Sequence, residues 1–205
     1  TALIEMVAEQ DEALLEKFFA DGALSDEDLM VGLKKAVAGR RIFPLFYSAA
    51  GRNQAVQPLV DALVELVPNP LAVALVARNV AGEEVTVTPK PDDTPIAYVF
   101  KTFSDPYAGR ITLMRVYSGA FASDGTYHNR QRDIGERFGA VNWMQGKELL
   151  PVEKLVTGDI GAVAKLKETR TGDTLTSKDG AVVVPPVPIP EAAISFAISA
   201  KAKGD

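Results

Sequence analysis

The hydrophobic period of this chain changes once, near residue 71, from the spacing of helices to the alternation of strands. That change restricts it to a helical segment followed by an all-β unit. Upstream, Leu3, Val7, Leu14, Leu15 and Phe18 recur at helical spacing, which predicts an amphipathic helix over 3–20 stopped by Gly22. Ser25 with Asp28 three residues on reads as a helix start, with Leu29, Leu33 and Val37 on one face and Gly39 at the end. The run Ile42 to Tyr47 is of strand type, although Pro44 withholds one ladder donor. Asn53 is the expected cap of a third helix whose Val56, Leu59, Val60, Leu63 and Val67 form a buried stripe, ended by Pro68-Asn69-Pro70.

Downstream, strands are expected over 71–77, 84–88, 95–103, 110–117, 125–129, 133–138, 152–156, 159–166, 181–184 and 193–200, divided by Gly, Pro, Asp and Ser. Short strands at this spacing imply an antiparallel barrel or sandwich. Ile111, Leu113, Arg115 and Tyr117 share one face and Thr112, Met114 and Val116 the other, as in a wall covered on both sides. The stretch Pro185-Pro186-Val187-Pro188-Ile189-Pro190 reads as an extended linker, after which Ala193–Ala200 begins another unit. Thr1 opens directly on a helical pattern and Lys203-Gly204-Asp205 follows a strand pattern, so both ends read as cut.

No window approaches the length of apolar sequence that spans a membrane, and no basic-then-apolar leader precedes the first helix pattern. A cytoplasmic, monomeric chain without membrane association is expected. Cysteine is absent and His128 stands alone, which leaves no thiolate or imidazole cluster for a metal. The formal charge of -5 excludes a bulk electrostatic grip on nucleic acid. Yet 101–147 sets Lys101, Arg110, Arg115, Arg130, Arg132, Arg137 and Lys147 against Asp105, Asp124, Asp133 and Glu136. Scattered barrel charge, with the arginines paired to those acids, is one reading; an RNA-facing patch is the other.

A working GTPase needs a Gly-rich phosphate loop ending in Lys-Ser/Thr, an Asp-x-x-Gly and an Asn-Lys-x-Asp. None occurs here: Gly146-Lys147 runs into Glu148, and no Asp has Gly three residues later. Gly-x-Ser-x-Gly and His-Glu-x-x-His are missing too, and the carboxylate pairs Glu83-Glu84 and Asp92-Asp93 sit in predicted turns. The chain by itself is expected to be catalytically inert.

Several phrases resemble elongation factor G. Tyr47-Ser48-Ala49-Ala50-Gly51-Arg52-Asn53-Gln54-Ala55-Val56-Gln57-Pro58-Leu59-Val60-Asp61 is similar to the family's fifth nucleotide motif, and Val67-Pro68-Asn69-Pro70 to the ending that follows it. Asp105-Pro106-Tyr107-Ala108-Gly109-Arg110 through Arg115-Val116-Tyr117-Ser118-Gly119 resembles the opening of the second domain. Gly158-Asp159-Ile160-Gly161 and Thr171-Gly172-Asp173-Thr174-Leu175 resemble its closing half, and Pro190 to Asp205 the first strand of the third domain.

The resemblance implies an α/β remnant of a GTP-binding domain over 1–70, interdomain strands over 71–94, a translation-factor β-barrel over 95–188 and the start of a third domain over 189–205. It implies that backbone at Ser48, Ala49 and Ala50 touches guanine in a parent that binds GTP and Mg²⁺, although no cofactor is expected on this chain alone. It further implies that the barrel contacts small-subunit ribosomal RNA, with Arg110, Arg130, Arg132 and Arg137 as candidate contacts, and relays the nucleotide state. A ribosome-protection or release-factor-like relative, or a paralogue without translocase activity, is the alternative. Three departures point that way: Ala55 and Lys165 stand where the family has Gly, and Ala192-Ala193 where it has Pro-Val.

Overall fold

The computed structural model describes residues 2–202. The chain forms two compact units, divided between Val73 and Ala74.

The first unit holds α1 (Ala2–Ala8), α2 (Glu12–Asp21), α3 (Asp26–Ala38) and α4 (Val56–Leu66). The helix expected over 3–20 is two helices. Asp11 breaks it, because its carboxylate accepts the backbone N–H groups of Ala13 and Leu14 and so caps α2 as a new helix. Gly22 ends α2 in the left-handed conformation (φ 69°), and the Ser25 hydroxyl caps α3 as its sequence indicates. Val7, Leu14, Ala36 and Ile42 form the small core. Gly32 lets the helices meet there, since a Cβ on it would lie 2.5 Å from side-chain atoms of Leu14 and Val7.

Two expectations in this unit fail for one reason. Ile42–Tyr47 is not a strand: it pairs with no neighbour, and Phe43, Leu45 and Tyr47 are 79, 76 and 85% exposed. The stripe of α4 is not buried either, with Val60, Leu63 and Val67 exposed. Apolar periodicity specifies a face to be covered, and nothing among the described residues covers this one. Asn53 does not cap α4; it ends a short 3₁₀ turn (Ala50–Arg52), and the cap position falls to Ala55.

The second unit contains β1 (Leu75–Asn79), β2 (Glu84–Val87), β3 (Ile96–Asp105), β4 (Gly109–Ser118), β5 (Ala120–Ala122), β6 (Thr126–Asn129) and β7 (Ile134–Arg137). It continues with β8 (Val141–Gln145), β9 (Glu148–Val152), β10 (Lys154–Val156), β11 (Ile160–Ala164), β12 (Thr174–Thr176) and β13 (Val182–Val183). Every strand pair among them is antiparallel. An eight-stranded sheet of order β7-β6-β12-β3-β4-β11-β8-β9 wraps a core that includes Val99, Met114, Phe121, Phe138, Leu155 and Leu175. The β5–β10 pair forms a separate two-stranded ladder against it. Phe121, Tyr127 and Phe138 stack within this core, with Tyr127 centred 4.5 and 4.6 Å from the two phenylalanine rings. Helices followed by this antiparallel wall agree with the helix-then-barrel order expected from the sequence.

A small sheet of order β13-β1-β2 packs on the outer face of β3, where Ile96 and Tyr98 meet Leu75, Ala77 and Val184. Both faces of β3 are therefore covered, which explains its unbroken apolar start. Gly119 (φ 63°) turns the chain from β4 to β5, and a Cβ there would lie 2.4 Å from the Asp93 carbonyl and 2.7 Å from Pro95. The strand expected from 71 begins at Leu75, because Asn69 caps a 3₁₀ turn over Pro70–Ala72. Residues 193–200 form no strand, and Ile194, Phe196 and Ile198 are exposed there. Thr1 and Lys203-Gly204-Asp205 lie outside the described residues.

Candidate functional site

Tyr47 to Ala55 form a tight loop closed by reciprocal backbone bonds between Ala49 and Gln54, 3.0 and 3.2 Å long. Asn53 and Ala55 both take left-handed backbone, φ 52° and 54°. A side chain at such a position costs about 1–2 kcal/mol, which is why glycine is favoured there. Ser48, Ala49 and Ala50 are all exposed, and the first two line a shallow recess of about 360 Å³ with Tyr47, Gln54 and Ala55. Their small side chains leave the backbone open to a planar ligand. No group of acidic, His or Cys side chains among the described residues could hold a metal ion.

The four candidate arginines differ in exposure and partners. Arg110 is half-buried and donates to the backbone carbonyls of Lys167 and Thr169. Arg132 bonds Asp173 at 2.8 Å, pairing with none of the four acids expected from the sequence. Arg130 is half-buried, and its Nε is enclosed without a hydrogen-bond partner. Only Arg137 of the four is exposed, and strand alternation puts it on the opposite face of β7 from Glu136. Arg115 lies over the Tyr117 ring, 5.8 Å from its centre.

Glu136 has the role that sequence reasoning missed. It is 4% exposed, and its carboxylate accepts the backbone N–H groups of Lys167, Glu168 and Thr169 at 3.2, 2.8 and 2.8 Å, and the Thr169 hydroxyl at 3.0 Å. Burial pushes its pKa up, but the converging backbone donors outweigh burial and hold it below its ordinary value. Three consecutive N–H groups aimed at one anion make a nest, here filled by the chain's own carboxylate. Asp173 extends the network, accepting from Asn129, Arg132 and the Arg170 N–H, each at 2.8 Å. The partners of Glu136 lie 31 to 33 residues away in sequence, so no local pattern signals them.

Residues 95–178 match the family model for elongation factor G domain 2. That segment is elongation factor G domain 2-like. The loop that Glu136 clamps and the buried core of the wrapped sheet both fall within this domain 2 segment. A solved structure from Thermus thermophilus superposes with a TM-score of 0.72 at 24% identity, covering 93% of this chain and 26% of that one. The fold is thus shared across both units, and this chain spans about a quarter of the length of that structure. No helix among the described residues is long and apolar enough to cross a membrane.

Proposed function

We propose that this chain joins the end of a GTP-binding domain to the barrel of a translational GTPase, and that the barrel contacts the ribosome and relays nucleotide state to it. The observation that carries this reading is the match of residues 95–178 to elongation factor G domain 2. On it, 1–70 is the GTP-binding remnant, 71–94 the interdomain strands, 95–188 the barrel and 189–205 the start of a third domain.

Two features support a GTP-binding origin for 1–70. The guanine-side phrase at Ser48–Ala50 sits on an open loop with exposed backbone. The uncovered apolar residues of α4, together with Phe43, Leu45 and Tyr47, form the kind of surface a helix and a strand present to a sheet. GTP and Mg²⁺ then belong to the parent protein, held largely by residues other than these. The parent works in the cytoplasm on small-subunit ribosomal RNA, and this chain is monomeric.

A paralogue rather than the housekeeping translocase is favoured by Ala55 and Lys165. Both replace a glycine of the family pattern yet keep left-handed backbone, φ 54° and 64°. The backbone is retained while the residue that suits it is gone. The test is co-sedimentation of the longer protein with ribosomes under GDP or a non-hydrolysable GTP analogue. Retention with the analogue is expected; retention indifferent to nucleotide would contradict the relay, and no retention would contradict the ribosome partner.

A further inference from the structure

Four of the six residues from Pro185 to Pro190 are proline, so this stretch holds two backbone N–H groups, those of Val187 and Ile189. The Val187 N–H donates to the Tyr98 hydroxyl at 3.1 Å, whereas the Ile189 N–H has no partner among the described residues. A run so poor in donors has the composition of a free linker, yet one of its two donors is bonded to the barrel wall.

Tyr98 lies on the outer face of β3 at 7% exposure, packed with Leu75, Ala77, Ile96 and Val184 beneath the small sheet β13-β1-β2. Packing alone asks for no hydroxyl there. The one present meets the Val187 N–H and nothing else among the described residues. Just before this contact the chain is held twice more. Val182 and Val183 pair with Asn79 and Arg78 of β1, and the Val184 N–H donates to Oγ1 of the fully buried Thr174 at 3.0 Å. The strand β1 is also where the chain enters this unit, directly after Ala74, so one small sheet carries both its entry and its exit.

Every residue from Val184 to Pro190 is a proline or precedes one. Its backbone is therefore confined to extended conformations, and such a run moves as a rod rising about 3 Å per residue rather than as a loose coil. A rod pinned at Val184 and again at Val187 has one direction. Pinned at Val184 alone, it swings.

We propose that the Tyr98 hydroxyl is a latch that sets the direction in which residues 188–202 leave the barrel, and that opening it frees a stiff arm without unfolding the wall behind it. The inference concerns the barrel's own exit and is independent of the ribosome reading. The latch is weak by its nature. Val187 is 65% exposed, so water takes over its N–H when the bond breaks. One hydrogen bond of ordinary net strength then favours the closed state by about 2- to 10-fold. A pull on the arm worth a single hydrogen bond reverses that bias, while the pairing at Val182–Val183 and the buried bond at Val184 stay in place.

The test uses the full chain, which has no cysteine of its own, with spin labels at Lys154→Cys on β10 and Ile189→Cys on the arm, both exposed positions. Double electron–electron resonance should give one dominant distance. In Tyr98→Phe the distribution should spread, with the urea midpoint nearly unchanged. Val187→Pro removes the donor instead of the acceptor and should spread it in the same way; it serves alone should Tyr98→Phe not fold by circular dichroism. The double variant should spread it no further than either single change. Amide hydrogen exchange reads the latch without labels: after correction for intrinsic rates, Val187 should exchange about 2- to 10-fold more slowly than Ile189, and at the Ile189 rate in Tyr98→Phe. A wild-type distribution already as broad as that of the variants overturns the proposal, as do equally narrow distributions in all of them or an unprotected Val187 amide. A urea midpoint that falls steeply in both variants overturns the independent opening.

Discussion

Replacing Glu136 with alanine removes the acceptor for four hydrogen bonds at once. Their cost differs by site. Lys167 and Glu168 are exposed, so water can take over their N–H groups at little net loss. Thr169 is fully buried, so its N–H and hydroxyl are left without an acceptor. At about 1–3 kcal/mol per stranded buried group, and with the hydroxyl free to turn elsewhere, the loss comes to about 2–4 kcal/mol. That is a large fraction of a typical domain's stability. Glu136→Gln keeps one acceptor oxygen but sets an NH₂ against a backbone N–H, and should cost less than alanine. Urea unfolding followed by Trp143 fluorescence is the assay. A loss below about 0.5 kcal/mol in Glu136→Ala would refute the clamp, since surface substitutions fall in that range. The pH dependence gives a second readout. A carboxyl held below its ordinary 4.5 contributes stability that is complete above that value and disappears as pH falls through the lowered one. Asp11, Asp28 and Asp105 are lowered too, so the diagnostic is the difference curve. The gap between wild type and Glu136→Gln should narrow below about pH 4.5 and hold steady above it.

Gly119→Ala should destabilise the barrel by about 2–5 kcal/mol, from left-handed strain plus collision with Asp93 and Pro95; an unchanged urea midpoint would contradict the close approach. Lys165→Gly should stabilise the barrel by about 1 kcal/mol by relieving left-handed strain at φ 64°, and a fall in stability would show that the lysine side chain packs. Isothermal titration of the chain with GTP and Mg²⁺ should give no heat of binding, because the phosphate loop, the switch Asp and the guanine-reading Asp are not in its sequence. Micromolar binding at one site would contradict that reading.

What was legible in the sequence is what depends on neighbours along the chain. The Ser25 cap, the Gly22 stop and the adjacent strands β3 and β4 are local, and all appear. Features that need a partner were misjudged. The run Ile42–Tyr47 is apolar like a strand but pairs with nothing among the described residues, and the α4 stripe has no surface there to meet. The hairpin β8–β9 is not among the expected strands; Gly146 at φ 62° is its turn. The arginines illustrate the limit for the candidate site. Composition marked 101–147 as basic, but which cations face water depends on contacts such as Arg132 with Asp173, 41 residues apart.

The central claim, that the barrel meets the ribosome through small-subunit RNA, can be tested on a chain that has no cysteine of its own. Lys167→Cys carrying a tethered iron chelate, bound to ribosomes at low salt, should cut small-subunit RNA at a confined set of positions by local hydroxyl radicals. The same label at Val64→Cys, on the uncovered face of α4, serves as the comparison. Cuts from position 167 confined to the small subunit are the predicted result; no cuts above the unlabelled background, or cuts only in large-subunit RNA, would contradict it.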